Sequence, residues 1–211
     1  MTDQDDVVSG AQAAAKKAVE DAIDIQQKVR DITLKALSEK RLDKDSIKAV
    51  IRAVTEGVSE GIGDNKDKMG GSFKEALSGM DEALGKSAQA AKLASEEALG
   101  KVSEYADHEF KDTLKQLEGL EDLFIDTVNA AAEQASKLAG ESFKDLTSHL
   151  KNTGSDVGNQ AKEAADSLRE ELTRLGKEGV DTALDTGKKV GGQIAQVASG
   201  ILAGMADALK K

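Results

Sequence analysis

Apolar residues recur every eleven positions along residues 73–209. Three rows spaced by eleven, begun at Phe73, Leu77 and Met80, contain 38 positions, and 31 of these are apolar. The chain as a whole is only 39% apolar, so the rows mark a repeated structure. Eleven residues make about three turns of helix, and the three rows merge into one stripe along a single helix face. The sequence therefore predicts very long amphipathic helices.

Two further patterns favour helices over strands or an ordinary coiled coil. The row begun at Ser78 on the opposite face holds only polar residues and glycine. A seven-residue repeat begun at Phe73 soon reaches Ser87, Lys101 and His108, which does not fit a left-handed coiled coil. Proline is absent, so only glycine interrupts helix formation, at about 1 kcal/mol per residue relative to alanine. We predict an all-α fold that forms an elongated bundle.

The first part of the chain has its own helical pattern. Residues 1–62 predict an N-terminal helical hairpin, with one helix over 5–40 and a second that begins after a candidate cap at Asp45. In the second helix, two glycines four residues apart would allow another helix to approach closely. They are Gly57 and Gly61. The glycine-rich residues 63–72 are predicted to be a linker.

The remainder divides into two regions. Residues 73–186 form the acidic, long-helix region, in which we expect two or three helices with the best break at 152–159. Gly119 and Gly140 are weaker candidates for a break. Residues 187–211 predict a glycine-rich C-terminal helix with lysines at both ends. Four of its glycines have the spacing of helix contacts, namely Gly187, Gly191, Gly200 and Gly204.

Charge and cysteine content exclude several classes of protein. The net charge of −10 is distributed as −2 over residues 1–72, −11 over 73–186 and +3 over 187–211. An acidic body argues against a nucleic-acid partner, because phosphate binding needs clustered Lys and Arg. The chain has no cysteine, and its acidic, polar start does not resemble a secretory signal. We therefore expect a cytoplasmic protein, with association to a granule or membrane left open.

No pattern of residues indicates an enzyme or a metal site. His108 lies four residues from Glu104 and Asp112, and His149 lies four residues from Asp145. Because a third of the chain is charged, a solvated helix face explains this spacing better than a metal site does. There is no cysteine nucleophile and no phosphate-binding loop after a strand. We expect no catalytic residue, cofactor, metal or small-molecule substrate.

The uncharged stretch at 190–206 raises the question of membrane insertion. Its 17 residues would extend about 25 Å as a helix, which is shorter than the ~30 Å hydrocarbon core of a bilayer. Packing against a neighbouring helix through the glycines is the favoured interpretation. Binding on a membrane surface and insertion through 187–209 remain alternatives.

Three segments rich in Ala, Lys and Glu resemble known helical proteins. They are AQAAAKKA at residues 11–18, SAQAAKLASEEA at 87–98 and NQAKEAAD at 159–166. With the eleven-residue period, they resemble late-embryogenesis-abundant proteins, exchangeable apolipoproteins and perilipins. They also resemble bacterial phasins, the helical proteins that coat polyhydroxyalkanoate granules. The resemblance covers most of residues 73–211, rests on composition and period, and implies binding of a lipid or granule surface.

The leading hypothesis is a non-enzymatic helical protein that lays its apolar stripe on a hydrophobic surface, with the four phenylalanines as the deepest anchors. The apolar stripe is defined by Phe73, Leu77, Leu84, Phe110, Leu117, Phe124, Val128, Phe143, Leu150 and Leu172. A self-associating helical scaffold, in which the stripe meets a second copy, is the first alternative. Membrane insertion through 187–209 is the second. We expect a homo-oligomer, and the partner is predicted to be a lipid or polyester surface or another copy of the chain.

Overall fold

The fold is all-α. The structure is a computed structural model that describes residues 3–40, 42–63, 66–99, 107–134, 137–174 and residue 198. Within this part of the chain there are eight helices and no strand, which confirms the predicted fold class. The helices are α1 (Asp3–Asp21), α2 (Ile25–Ser38), α3 (Lys44–Ile62), α4 (Lys66–Leu99), α5 (Asp107–Glu118), α6 (Leu120–Glu133), α7 (Lys137–Thr153) and α8 (Asp156–Arg174).

The first predicted helix is two helices, because the backbone turns between α1 and α2. Ala22 and Asp24 have φ angles of 53° and 50°, in the left-handed region that non-glycine residues rarely adopt. The amide of Ala22 donates to the carbonyl of Val19 at 3.1 Å, which closes the last turn of α1. The predicted helix over 5–40 was therefore wrong at this point, and the N-terminal region has three helices. The apolar spacing continues through the turn and gave no sign of it.

Helix α3 begins at a different cap from the one predicted. The carboxylate of Asp43, rather than that of Asp45, accepts a hydrogen bond from the amide of Ser46 at 2.9 Å. Asp45 lies in the first turn, where its negative charge is favourable near the helix N-terminus. The cap satisfies an amide that has no partner within the helix, and substitution of such a cap typically costs about 1 kcal/mol.

The predicted linker at 63–72 is mostly helical, which corrects the proposed domain boundary. Gly63, with a φ of 54°, forms the turn after α3, and α4 begins at Lys66. The glycines within residues 66–72 lower helix propensity. However, the 34-residue α4 is held by packing further along, where Ser72 and Phe73 are already buried.

Helix α4 lies at the centre of the bundle, between α2 and α8. On the α2 side, the guanidinium of Arg30 lies 3.2 Å from the carboxylate of Glu82 and 2.9 Å from that of Asp31. Burial lowers the pKa of Arg30, but the two carboxylates raise it by more, so the net shift is upward. On the α8 side, Gln89 donates to Gln160 at 2.6 Å.

The region from α4 onward has more breaks than predicted. The structure places five helices, α4 to α8, where two or three were expected. The expected break at 152–159 is present, since Gly154, with a φ of 88°, separates α7 from α8. Gly119 separates α5 from α6, whereas Gly140 lies inside α7. Of the predicted C-terminal helix at 187–211, only Ala198 is within the described residues. It is helical and buried in the same apolar core.

Candidate functional site

The apolar stripe lies inside the bundle. Nine of its ten residues have described side chains, and these belong to α4, α5, α6 and α7. Eight of the nine are buried, and Leu150 is partly buried against the same core. The side chain of Leu172 is outside the described part of the chain. In this conformation, the chain's own helices cover the residues that were predicted to contact a surface.

The four phenylalanines come from four successive helices and are all fully buried. Phe73 is on α4, Phe110 on α5, Phe124 on α6 and Phe143 on α7. The rings of Phe73 and Phe143 meet edge to face, with centroids 4.4 Å apart and an interplanar angle of 62°. Edge-to-face packing is favourable beyond the burial of area alone. Each of these helices thus directs one aromatic anchor into the common core.

Few of the large apolar side chains that the structure describes lie outside this core. Among the described residues, the exposed large hydrophobic side chains are Ile23 and Leu93, at 63% and 44% of their full accessible area. Ile23 lies in the turn between α1 and α2, and Leu93 lies near the end of α4. The two are therefore separate positions, and neither belongs to the stripe. A surface could contact the stripe only after helices separate.

Two predicted helix-contact glycines lie where two backbones touch. A Cβ at Gly57 would come within 3.0 Å of the carbonyl oxygen of Gln12, and one at Gly61 would do the same at Lys16. Because both pairs are spaced by four, α1 and α3 pack along one continuous ridge. The other predicted contact glycines, Gly187, Gly191, Gly200 and Gly204, lie outside the described residues.

Helix α8 is attached mainly through small side chains. Its buried apolar residues are Val157, Ala161, Ala164, Ala165 and Leu168. A buried methyl group contributes on the order of 0.8 kcal/mol, compared with about 1.5–3 kcal/mol for a whole Leu or Phe side chain. The apolar attachment of α8 is correspondingly weak for a helix of 19 residues.

A group of polar contacts, which we call the clasp, holds the N-terminus of α8. The carboxylate of Asp81 on α4 accepts hydrogen bonds from the amides of Asp156 at 2.8 Å and Val157 at 2.9 Å. The hydroxyl of Ser155 accepts from the amide of Gly158 at 2.9 Å and donates to the carboxylate of Glu121 on α6. The clasp consists of Asp81, Glu121, Ser155 and the amides of residues 156–158.

The clasp places carboxylates in a confined space. Asp81 is only 5% exposed, and the carboxylates of Glu121 and Asp156 lie near it. Burial is the largest cause of a raised pKa at Asp81, and the two neighbouring carboxylates raise it further. The two amide hydrogen bonds lower the pKa of Asp81 but do not cancel the burial. The group is therefore easier to protonate than an exposed aspartate.

Sequence reasoning did not identify the clasp, although one signal was present. Glu121 is the only charged residue in the apolar row that begins at Leu77. A charged residue at a core position needs a polar partner, and Ser155 supplies it. Asp81 gave no such signal, because it lies beside the stripe and could equally have faced water. Gly158 leaves the space that Glu121 fills, since a Cβ there would lie 2.5 Å from the Glu121 carboxyl carbon.

The described residues form neither a metal site nor a membrane-spanning helix. No group of three or more His, Asp or Glu side chains among them is arranged to hold a metal ion. His149 is exposed on α7, and the side chain of His108 is outside the described set. No helix in the described part of the chain is long and apolar enough to cross a membrane. The segment 187–209, for which membrane insertion was an alternative, lies outside these residues, apart from Ala198.

The fold and the burial pattern define an all-α helical bundle in which α4, the longest of the described helices, is central. The chain belongs to DUF6781, a family of unknown function, whose model matches residues 1–211. No curated protein and no solved structure matches the chain.

Proposed function

We propose that this protein is a non-enzymatic, amphipathic helical coat protein of a hydrophobic surface, such as a lipid body or a storage granule. In the proposed mechanism the bundle opens by separation of α8 from α4. The residues of the apolar stripe then leave the core of the bundle and contact the surface. The partner is identified only by its chemistry, which is an extended apolar surface rather than a pocket-sized ligand.

The observation that carries the proposal is the burial of one aromatic anchor on each of four successive helices. Phe73, Phe110, Phe124 and Phe143 lie on the inward faces of α4 to α7. Because each of these helices carries its phenylalanine on a buried face, separating the helices while they stay helical would present all four anchors together. A flat apolar surface can then replace the contacts that the helices make with one another.

The attachment of α8 supports an opening at α4. Its buried side chains are mostly alanine, so separating it from α4 exposes less apolar area than separating a Leu-rich helix would. Several of its remaining contacts with α4 are polar, as between Lys92 and Glu163 at 3.3 Å. Such partly exposed pairs contribute little, typically 0–1 kcal/mol, and water can replace them.

Charge suggests which surface is preferred. Residues 73–186 carry a net charge of −11, and the exposed faces of the bundle hold many of these acidic side chains. An acidic protein is repelled by anionic lipid headgroups. A neutral surface, such as triglyceride or polyester covered by zwitterionic lipid, is therefore the expected partner.

A reversible lock between α4 and α8 tests the proposal. The chain has no cysteine of its own, so the variant Gly85→Cys with Gln160→Cys introduces a single pair. A Cβ at Gly85 would lie 3.3 Å from Cγ of Gln160. The Cβ of Gln160 is one bond from this Cγ, so the two Cβ atoms lie near the separation of about 3.5–4.5 Å that a disulfide requires. Flotation with a triolein emulsion coated in phosphatidylcholine measures binding.

The expected result is that the oxidised variant stays helical but floats about tenfold less than the same variant after reduction. The two single-cysteine variants, treated with the same oxidant, control for the substitutions and should float equally in both states. Circular dichroism confirms that each form is folded. Equal flotation of the locked and reduced forms would contradict an opening between α4 and α8.

A further inference from the structure

The start of α8 depends on its contact with α4. A helix leaves its first amides without partners inside the helix. In α8, Ser155 satisfies the amide of Gly158, but the amides of Asp156 and Val157 are satisfied by Asp81, which lies on another helix. The first backbone bond of α8 runs from the amide of Asn159 to the carbonyl of Ser155. Leaving α4 therefore removes two hydrogen bonds from the N-terminus of α8.

The environment of Asp81 changes when α8 leaves. In the docked state its carboxylate is 5% exposed and faces Asp156 on α8 and Glu121 on α6. Burial and like charges both disfavour the ionised form, whereas the two amides favour it. In the detached state the carboxylate enters water, and Asp156 moves away. Its affinity for a proton then returns toward that of an ordinary aspartate.

We propose that the clasp makes the docking of α8 on α4 proton-linked, so that docking binds a proton at Asp81 and detachment releases it. Low pH then favours the closed bundle, and rising pH favours the detachment of α8. The consequence for surface binding rests on the proposed function, whereas the proton linkage itself does not.

The direction follows from the burial of Asp81 and from the two carboxylates beside it, which together raise its pKa in the docked state. Below pH 3.8, the ordinary pKa of aspartate, Asp81 is protonated in both states, and the docked state is favoured most. As pH rises through the higher docked-state pKa, this advantage is lost. One linked proton changes the equilibrium by at most about tenfold per pH unit, and only between the two pKa values.

Amide hydrogen exchange on the full-length protein without any lipid tests the inference. The opening constants of α8 amides, for example those of Ala164 and Leu168, are measured between pH 4 and 6.5 after correction for intrinsic exchange rates. The wild type should open more readily as pH rises, by threefold to tenfold over the range. Slower exchange in α3, at Val54 and Val58, would identify the event as detachment of α8 rather than global unfolding.

Two variants test whether Asp81 is the residue that binds the linked proton. Asp81→Asn cannot titrate at this position and should make the α8 opening constant nearly independent of pH. Asp166→Asn removes an exposed carboxylate of α8 and should keep the wild-type dependence. A wild-type opening constant that does not rise with pH would overturn the inference, as would an unchanged slope in Asp81→Asn.

A second measurement covers the case in which Asp81→Asn does not fold. The side-chain carboxyl of Asp81 in the wild type is titrated by carbon NMR. The expected midpoint lies above the ordinary value of 3.8 and coincides with the midpoint of the exchange profile. A midpoint at or below the ordinary value would overturn the proposal. Because both measurements lack an apolar surface, they can fail while the lock experiment succeeds, and the reverse.

Discussion

At the scale of residues, the core consists of a few large side chains among many small ones. The fully buried phenylalanines of α4 to α7 stand among alanines such as Ala76, Ala83 and Ala88. Buried hydroxyls lie in the same core, and Thr55 and Ser87 bond to carbonyls one turn earlier in their own helices. A core of this kind depends strongly on each large side chain, because small neighbours cannot fill the space that its removal leaves.

The aromatic pair gives the sharpest prediction at this scale. Phe73→Ala and Phe143→Ala should each lower the free energy of unfolding by about 3–5 kcal/mol. The two losses should be coupled by about 0.5–1.5 kcal/mol, because the rings contact each other edge to face. Urea unfolding followed by circular dichroism measures each variant and the double variant. Leu93→Ala, at an exposed apolar position of α4, is the control and should change stability by less than about 0.5 kcal/mol.

This prediction also separates a packed bundle from a loose one. If the helices formed only a molten assembly, the phenylalanine variants would cost little more than Leu93→Ala. Such a result would contradict the described core.

At the scale of elements, some glycines end helices and others lie inside them, and the sequence did not distinguish the two kinds. Gly119 and Gly154 lie between helices, as expected, but the glycine-rich start of α4 and Gly140 are helical. Gly57 and Gly61 are also helical and lie at a helix contact. The local sequence shows that a glycine lowers helix propensity. It does not show whether a neighbouring helix makes the absence of a side chain favourable.

The two kinds of helical glycine predict opposite effects of alanine. Gly57→Ala should lower the free energy of unfolding by about 1 kcal/mol or more. The new Cβ meets a backbone carbonyl of α1, and the overpacking cost of about 1–3 kcal/mol exceeds the gain in propensity. Gly10→Ala is the matched control, since a Cβ there has nothing within 4 Å. It should raise the free energy of unfolding by up to about 1 kcal/mol.

Thermal and urea unfolding measure the stability of the two variants relative to the wild type. If Gly57→Ala were as stable as Gly10→Ala, then α1 and α3 would not approach as closely as described.

At the scale of the whole molecule, the sequence predicted the fold class and the apolar face but not what covers that face. The eleven-residue period requires only that one face of each helix is buried away from water. Lipid, polyester or another helix can cover that face equally well. The structure shows the chain's own helices in that role. The pairing of α1 with α3 and of α4 with α8 joins residues far apart in sequence, for which no local motif exists.

The clasp was beyond sequence reasoning for a related reason. Asp81 and the start of α8 are about 75 residues apart, as the hydrogen bonds from Asp156 and Val157 show. A carboxylate that caps its own helix leaves a local pattern, as Asp43 does before α3. A carboxylate that caps another helix leaves none, and only the charged exception at Glu121 marked the place.

The central claim is that the closed bundle opens between α4 and α8 when it meets an apolar surface. The most direct test is the distance between spin labels at Leu93→Cys on α4 and Lys162→Cys on α8, two exposed positions in a chain without native cysteine. Double electron–electron resonance should give one short distance between the labels in buffer, because the neighbouring residues Lys92 and Glu163 are in contact there. On triolein emulsion coated in phosphatidylcholine, with the protein shown to be bound by flotation and still helical, the distance should lengthen well beyond the diameter of a helix, about 10 Å. An unchanged short distance in the surface-bound protein would contradict the account.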